Sequence, residues 1–319
     1  MAVEAKSETD SKTGEHGQLT EVPEPRKPLF EGDFAFLEDS VSSIYSAIGW
    51  GMEGTGKSLF FLKYFPLPIM VQNLDRPLTP AHLGALKRER YDRIAVTNLR
   101  PGQEDLSQAE ATHITNMLER NIIKNLKALK GGTVMIDGGT LWRDSLALAD
   151  PTMGPKLASG QRINPKDKAQ VNAYMAAFMS YIQDQGINLA LTCHAANSWE
   201  MVKTLNEDGT SKNQLMRTKQ VYPKFHEVAF ERANLSLLMF KRCECGRNIT
   251  HQDGTCVAQN DPTEDRPKVT EGHQGRKHMT RIVTNKFWTQ CEGTEWEDLN
   301  GDTLKMLCFD AKKAAALLA

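Results

Sequence analysis

The stretch that most restricts this chain is residues 51–58, GMEGTGKS, which match G-x-x-x-x-G-K-[ST] at every fixed position. The run before it, residues 43–50 (SIYSAIGW), is β-branched and aromatic and reads as a buried strand. The run after it, residues 59–65 (LFFLKYF), reads as the opening turns of a helix. Strand, glycine loop and helix form the context in which such a loop holds phosphate. Gly51, Gly54 and Gly56 let the backbone turn tightly and approach an anion with no Cβ in the way. The N–H groups so freed, with the helix N-terminus behind them, face the phosphates. The expected nucleotide-binding set is therefore Gly51, Met52, Glu53, Gly54, Thr55, Gly56, Lys57, Ser58 and Leu59. Within it Lys57 reaches the β- and γ-phosphates and the Ser58 hydroxyl holds Mg²⁺.

Charge and hydropathy limit the partners. The chain has 319 residues and a net charge of −1, so no global basic field announces nucleic acid and any such surface must be local. No apolar run reaches the length of a membrane span, and residues 1–18 lack the apolar core of a secretory signal. A cytoplasmic location is expected, with the six cysteines reduced or metal-bound rather than paired. Residues 1–28 are polar and Pro/Gly-containing and are expected to form a disordered tail. The expected division is then a core at 29–242, a cysteine-containing insertion at 243–275, and a C-terminal strand and helix at 276–319 that complete the core.

Past the loop, strand and helix patterns alternate. Strands are expected at 68–75 (PIMVQNLD), 93–99 (RIAVTNL), 133–137 (TVMID), 188–194 (NLALTCH), 234–243 (NLSLLMFKRC) and 276–288 (RKHMTRIVTNKFW). A short helix is expected from Thr79-Pro80, and longer ones at 107–129, 140–149 and 166–185. In the helix at 107–129, Ile114, Met117, Leu118, Ile122, Ile123 and Leu126 make the apolar face. Residues 150–165 and 195–223 read as polar loops. The alternation implies an α/β fold with a mostly parallel sheet covered by helices on both faces. Ligands of such sheets sit at the carboxyl ends of the strands, which puts Asp75, Asp137 and His194 on the rim with the glycine loop.

Each of these has a chemistry. Asp137 ends an apolar strand, where a carboxylate completes the Mg²⁺ site begun by Ser58. Hydrolysis also needs a group that orients or deprotonates water; Asp75 and Glu53 are the two candidates. His194, with Thr192, ends the fifth strand, where a polar side chain can sense the γ-phosphate and pass its presence to the next loop.

Together GMEGTGKS, GGTVMIDGGTLWRD (131–144) and NLALTCHA (188–195) resemble the RecA-like P-loop ATPase core. More narrowly they resemble the phage RecA-like AAA proteins, which include single-strand annealing and recombination ATPases; weaker similarity runs through 221–242 and 281–288. The resemblance implies an ATP- and Mg²⁺-dependent hydrolase that acts on single-stranded DNA and self-associates into a filament or ring. It implies DNA-facing loops at 150–168 and 197–224. These carry Lys156, Arg162, Lys166 and Lys168, and Lys203, Lys212, Arg217, Lys219 and Lys224, with Trp199 available to stack a base. It also implies basic residues that reach a neighbouring subunit's phosphates, for which Arg276, Lys277, Arg281 and Lys286 are candidates. The chain departs from the pattern in holding Asp75 where the family more often has Glu, and in showing no separate N-terminal oligomerisation domain.

Cys243, Cys245, His251 and Cys256 form a candidate zinc set, with His273 competing for the fourth place; the C-x-C-x₅-H-x₄-C spacing is not a standard one. Two other readings of the same loop stand beside the ATPase. A nucleotide or small-molecule kinase would need an Arg-rich lid, and the loops here are Lys-rich. A non-catalytic nucleotide-binding assembly protein would bind without turnover.

Overall fold

The computed structural model describes residues 46–75, 78, 84, 86–99, 106–161, 163–205, 211–224, 227–243, 248–249, 276–287, 289–310, 313 and 316. Strand β1 (Ser46–Gly51) runs into the glycine loop and helix α1 (Lys57–Tyr64) leaves it. Then follow β2 (Ile69–Asn73), a single-turn α2 (Arg88–Tyr91), β3 (Ile94–Asn98), α3 (Gln108–Asn125) and β4 (Thr133–Asp137). Between β4 and β5 (Asn188–Leu205) lie α4 (Gly139–Ala149), α5 (Met153–Ala158) and α6 (Pro165–Asp184). The chain continues with β6 (Ser211–Pro223), α7 (Glu227–Arg232), β7 (Leu235–Cys243), β8 (Asn248–Ile249), β9 (Arg276–Asn285), β10 (Glu295–Glu297) and α8 (Gly301–Phe309).

The strands order as β10-β9-β7-β1-β5-β4-β2-β3, with β6 beside β5 and β8 beside β7. From β7 to β3 every pair is parallel, while β9 and β10 are antiparallel. This is an α/β fold with a mostly parallel sheet. Alternation along the strands builds a core on each face. Ile48 and Trp50 of β1, Val134 and Ile136 of β4, and Leu189, Leu191 and Cys193 of β5 pack with α3, α4 and α6. Ala47, Met135, Ala190, Leu237 and Met239 take the other face, against Phe60, Phe61 and Leu62 of α1 and Leu304 and Leu307 of α8.

Local chemistry sets the helix ends. Ser107 caps α3: its hydroxyl accepts from the Glu110 N–H at 3.3 Å while the Glu110 carboxylate accepts from the Ser107 N–H at 2.8 Å, a reciprocal capping box. Asn164 caps α6 with Pro165 at the first helical position, and Gly186 follows that helix at a left-handed φ of 73°.

Several expectations need correction. Residues 195–223 are not a loop: β5 runs on past the sheet to Leu205 and returns as β6, an antiparallel ribbon with Trp199 opposite Arg217 and a register shift near its base. The stretch after α4 holds the helix α5. The buried stripe of α3 is Ala111, Ile114, Thr115, Leu118 and Ile122, whereas Met117 and Ile123 are exposed. The tail 1–28 and residues 79–83 and 85 of the helix expected from Thr79 lie outside the described residues, as do Cys245, His251, Cys256 and His273; Cys243 ends β7. Among the described residues no three His, Cys, Asp or Glu cluster so as to hold a metal, and no helix is long and apolar enough to cross a membrane. Cys193, Cys291 and Cys308 are buried thiols outside any disulfide.

Candidate functional site at the carboxyl rim

Parallel pairing brings the expected residues to one rim. Register sets Gly51 beside His194 and Asn73 beside Asp137, so the ends of β1, β5, β4 and β2 lie in sequence across the sheet. One strand, β5, separates the strand of the glycine loop from the strand of Asp137.

The glycine loop is shaped by contact as well as by φ. A Cβ on Gly51 would sit 2.0 Å from the Met239 carbonyl oxygen of β7, so no side chain fits between these backbones. Gly54 and Gly56 take left-handed φ values of 67° and 87°, which turn the chain into the first turn of α1. Thr55 donates its hydroxyl to the Met52 carbonyl at 2.9 Å and closes the loop on itself. The Lys57 ammonium folds back into it and donates to the carbonyls of Gly51 (3.1 Å) and Met52 (2.8 Å).

Opposite Lys57, Ser58 donates its hydroxyl to Asp137 Oδ1 at 2.8 Å. Thr192 donates to the same oxygen at 2.6 Å and accepts from the Gly138 N–H at 2.8 Å. Thr192 thus fastens the carboxylate to its own following turn. Gly138 makes that turn possible: its φ is 98°, and a Cβ there would meet the Asp75 nitrogen at 3.2 Å. Burial raises the Asp137 pKa; hydrogen bonds from Thr192 and Ser58 oppose the rise, the neighbouring Asp75 charge adds to it, and the Lys57 charge lowers it. Burial likewise lowers the Lys57 pKa, against the pull of Asp137 and Asp75. Both groups are therefore short of compensation in their charged forms, an arrangement suited to an anion at the loop and a cation at the carboxylate.

Asp75 and His194, expected on the same rim, touch: His194 Nε2 lies 3.2 Å from Asp75 Oδ2, with both side chains partly exposed. Asn73 accepts the Asp75 N–H at 3.1 Å and donates to Asn98 at 2.8 Å, tying this corner to β3. Glu53 is exposed on the loop, and its charge acts on Lys57 after those of Asp137 and Asp75. His194 is also held by its backbone. Its N–H donates to the Thr140 hydroxyl at 3.2 Å, that hydroxyl donates to the Lys224 carbonyl at 3.0 Å, and the Lys224 N–H donates to the His194 carbonyl at 2.7 Å. Sequence reasoning missed Thr140, and it named Lys224 as a DNA-facing cation and not as a backbone partner of His194 and Thr140. Thr140 carries no motif of its own, and Lys224 falls at the end of a stretch read as loop.

Of the basic residues considered for a neighbour's phosphates, Lys277, Arg281 and Lys286 are engaged within the chain, and the Arg276 side chain lies outside what is described. Arg281 donates to Glu295 at 2.8 Å and Arg242 pairs with the same carboxylate. Lys277 meets Glu297 at 2.7 Å, and Lys286 donates to the Glu231 carbonyl. Instead, Lys241 and His278 turn toward the loop, with His278 Nδ1 3.4 Å from the Thr55 carbonyl oxygen. Of the expected DNA-facing cations in the first stretch, Lys156 pairs with Asp167 at 2.6 Å and Arg162 lies outside the described residues.

No family model matches the chain, and no curated protein matches it. Among solved structures it is similar to a KaiC-like protein from the hyperthermophilic archaeon Pyrococcus horikoshii OT3. The identity is 10% over 79% of this chain and 84% of that one, at a TM-score of 0.37.

Proposed function

We propose that the chain is a RecA-like P-loop ATPase that binds ATP with Mg²⁺ at Gly51–Leu59 and hydrolyses it in work on single-stranded DNA. The observation that carries this reading is the Ser58–Asp137 contact of 2.8 Å beside the buried Lys57, at the start of α1. A hydroxyl and a buried carboxylate that share a hydrogen bond, next to a loop built for phosphate, fit a divalent cation. Ser58 and Asp137 would hold Mg²⁺, which when bound neutralises charge on the β- and γ-phosphate oxygens. Lys57 leaves the Gly51 and Met52 carbonyls for the phosphates. Asp75 orients the attacking water and accepts its proton, and His194 holds the Asp75 carboxylate in place until the γ-phosphate competes with that carboxylate for the imidazole.

The link to DNA rests on the resemblance and is supported by connectivity. The β5–β6 ribbon continues out of the strand that carries Thr192 and His194, and its base is tied to His194 and Thr140 through Lys224. The ribbon sequence carries Lys203, Lys212, Arg217 and Lys219 against Glu200, Glu207 and Asp208. Movement of His194 on phosphate binding would then reach a modestly basic arm. Self-association into a ring or filament belongs to the same reading. The test is the ATPase rate with and without single-stranded DNA, with Lys57→Ala as control. Turnover stimulated by DNA and lost in the variant supports the reading, and absence of both turnover and DNA binding rejects it.

A further inference from the structure

We propose that Lys241 and His278 form the nucleoside-side wall of this site, Lys241 binding the α-phosphate and His278 a ribose hydroxyl. The inference rests on the nucleotide reading above.

The two residues sit directly opposite each other where β7 and β9 pair antiparallel. Leu237 and Met239 of β7 pack on the face that α1 covers, so Lys241, two residues further on, continues that face and His278 shares it. Both side chains come down on the loop. A Cβ on Gly54 would lie 3.5 Å from Lys241 Nζ, and one on Gly56 would lie 3.6 Å from His278 Nδ1. Neither residue is buried, so both can meet a ligand.

Direction along the nucleotide follows from the sheet order. Asp137 stands on β4 and Lys241 on β7, on opposite sides of β1 and its loop. Ser58 and Asp137 mark the metal end, where the β- and γ-phosphates lie. The α-phosphate and nucleoside must then leave over the β7–β9 flank. There Lys241 offers an ammonium and His278 an imidazole, groups suited to an anionic oxygen and a hydroxyl. Their neighbours do not compete for the role, because Arg242 and Arg281 meet Glu295 and Lys277 meets Glu297. The sequence alone offered no reason to join a lysine in one strand to a histidine on the far side of the cysteine stretch.

The test is calorimetric titration of the full chain, in Mg²⁺, with ADP and with inorganic tripolyphosphate. Lys241→Met, which keeps the apolar stem, is expected to weaken both ligands about tenfold, and Lys241→Arg to restore them. His278→Ala is expected to weaken ADP about fivefold and leave tripolyphosphate unchanged, because the latter has no ribose. If Lys241→Met and His278→Ala bind both ligands like the wild type while Lys57→Ala loses them, the wall is overturned and the nucleotide reading stands. If the wild type binds neither ligand, or Lys57→Ala binds as well as the wild type, the nucleotide reading falls and the wall falls with it.

Discussion

Thr192→Val is the sharpest single change because one oxygen serves two buried partners. The Thr192 hydroxyl, itself 2% exposed, donates to Asp137 Oδ1 at 2.6 Å and accepts from the Gly138 N–H at 2.8 Å. Valine keeps the outline of the side chain and removes both bonds. A hydrogen bond to a charged group contributes about 1.5–3 kcal/mol, and a buried N–H left without a partner costs about 1–3 kcal/mol. The expected loss is therefore about 2.5–6 kcal/mol, measured as unfolding free energy in urea without nucleotide. Thr192→Ser keeps the oxygen and gives up one buried methyl, so it should lose only about 1 kcal/mol. The variant pair separates the hydrogen bonds from packing. A Thr192→Val protein within about 0.5 kcal/mol of the wild type would refute the bridging role, as would a Thr192→Ser protein equally damaged.

Gly51→Ala forces its Cβ to within 2.0 Å of the Met239 carbonyl oxygen, so β1 and β7 must separate. Its melting temperature should fall well below that of Gly54→Ala, whose nearest neighbour is the movable Lys241 amine at 3.5 Å. Burial raises the Asp137 pKa in the fold, so its contribution to stability is greatest below the unfolded value and is lost as pH rises through the raised one. Asp137→Asn removes that loss. Urea unfolding without Mg²⁺ should show the variant gaining on the wild type as pH rises from about 4 to about 7, and the opposite trend would contradict the burial account. Asp75→Asn should keep ATP binding and lose about 10²-fold or more in turnover, read by phosphate release.

Much of the rim was legible because its signals are local. An apolar strand that ends in Asp, as at 133–137, and a glycine loop between strand and helix declare their ends in a few residues. The β5–β6 ribbon was not legible in the same way. Residues 195–223 are mostly polar, so no apolar alternation announces the two strands. One signal was available, Asp208-Gly209 between two runs that carry Val and Thr, the usual mark of a hairpin turn. On α3, Met117 and Ile123 count toward an apolar face by composition, yet the helix buries only Ala111, Ile114, Thr115, Leu118 and Ile122. The contacts that organise the site run between distant residues: Thr192 to Gly138, Thr140 to Lys224, His278 to Thr55. Each depends on strand order, which the sequence pattern leaves open.

The central claim is that Gly51–Leu59, Lys57 and the Ser58–Asp137 pair together hold a magnesium nucleotide. Its most direct test is the equilibrium affinity for ATP, with and without Mg²⁺, in the wild type, Lys57→Ala and Asp137→Asn. The wild type should bind ATP more tightly when Mg²⁺ is present. Lys57→Ala should weaken binding by at least about tenfold, and Asp137→Asn should abolish the Mg²⁺ effect. Equal affinity in all three proteins, or a Mg²⁺ effect that survives in Asp137→Asn, would contradict it.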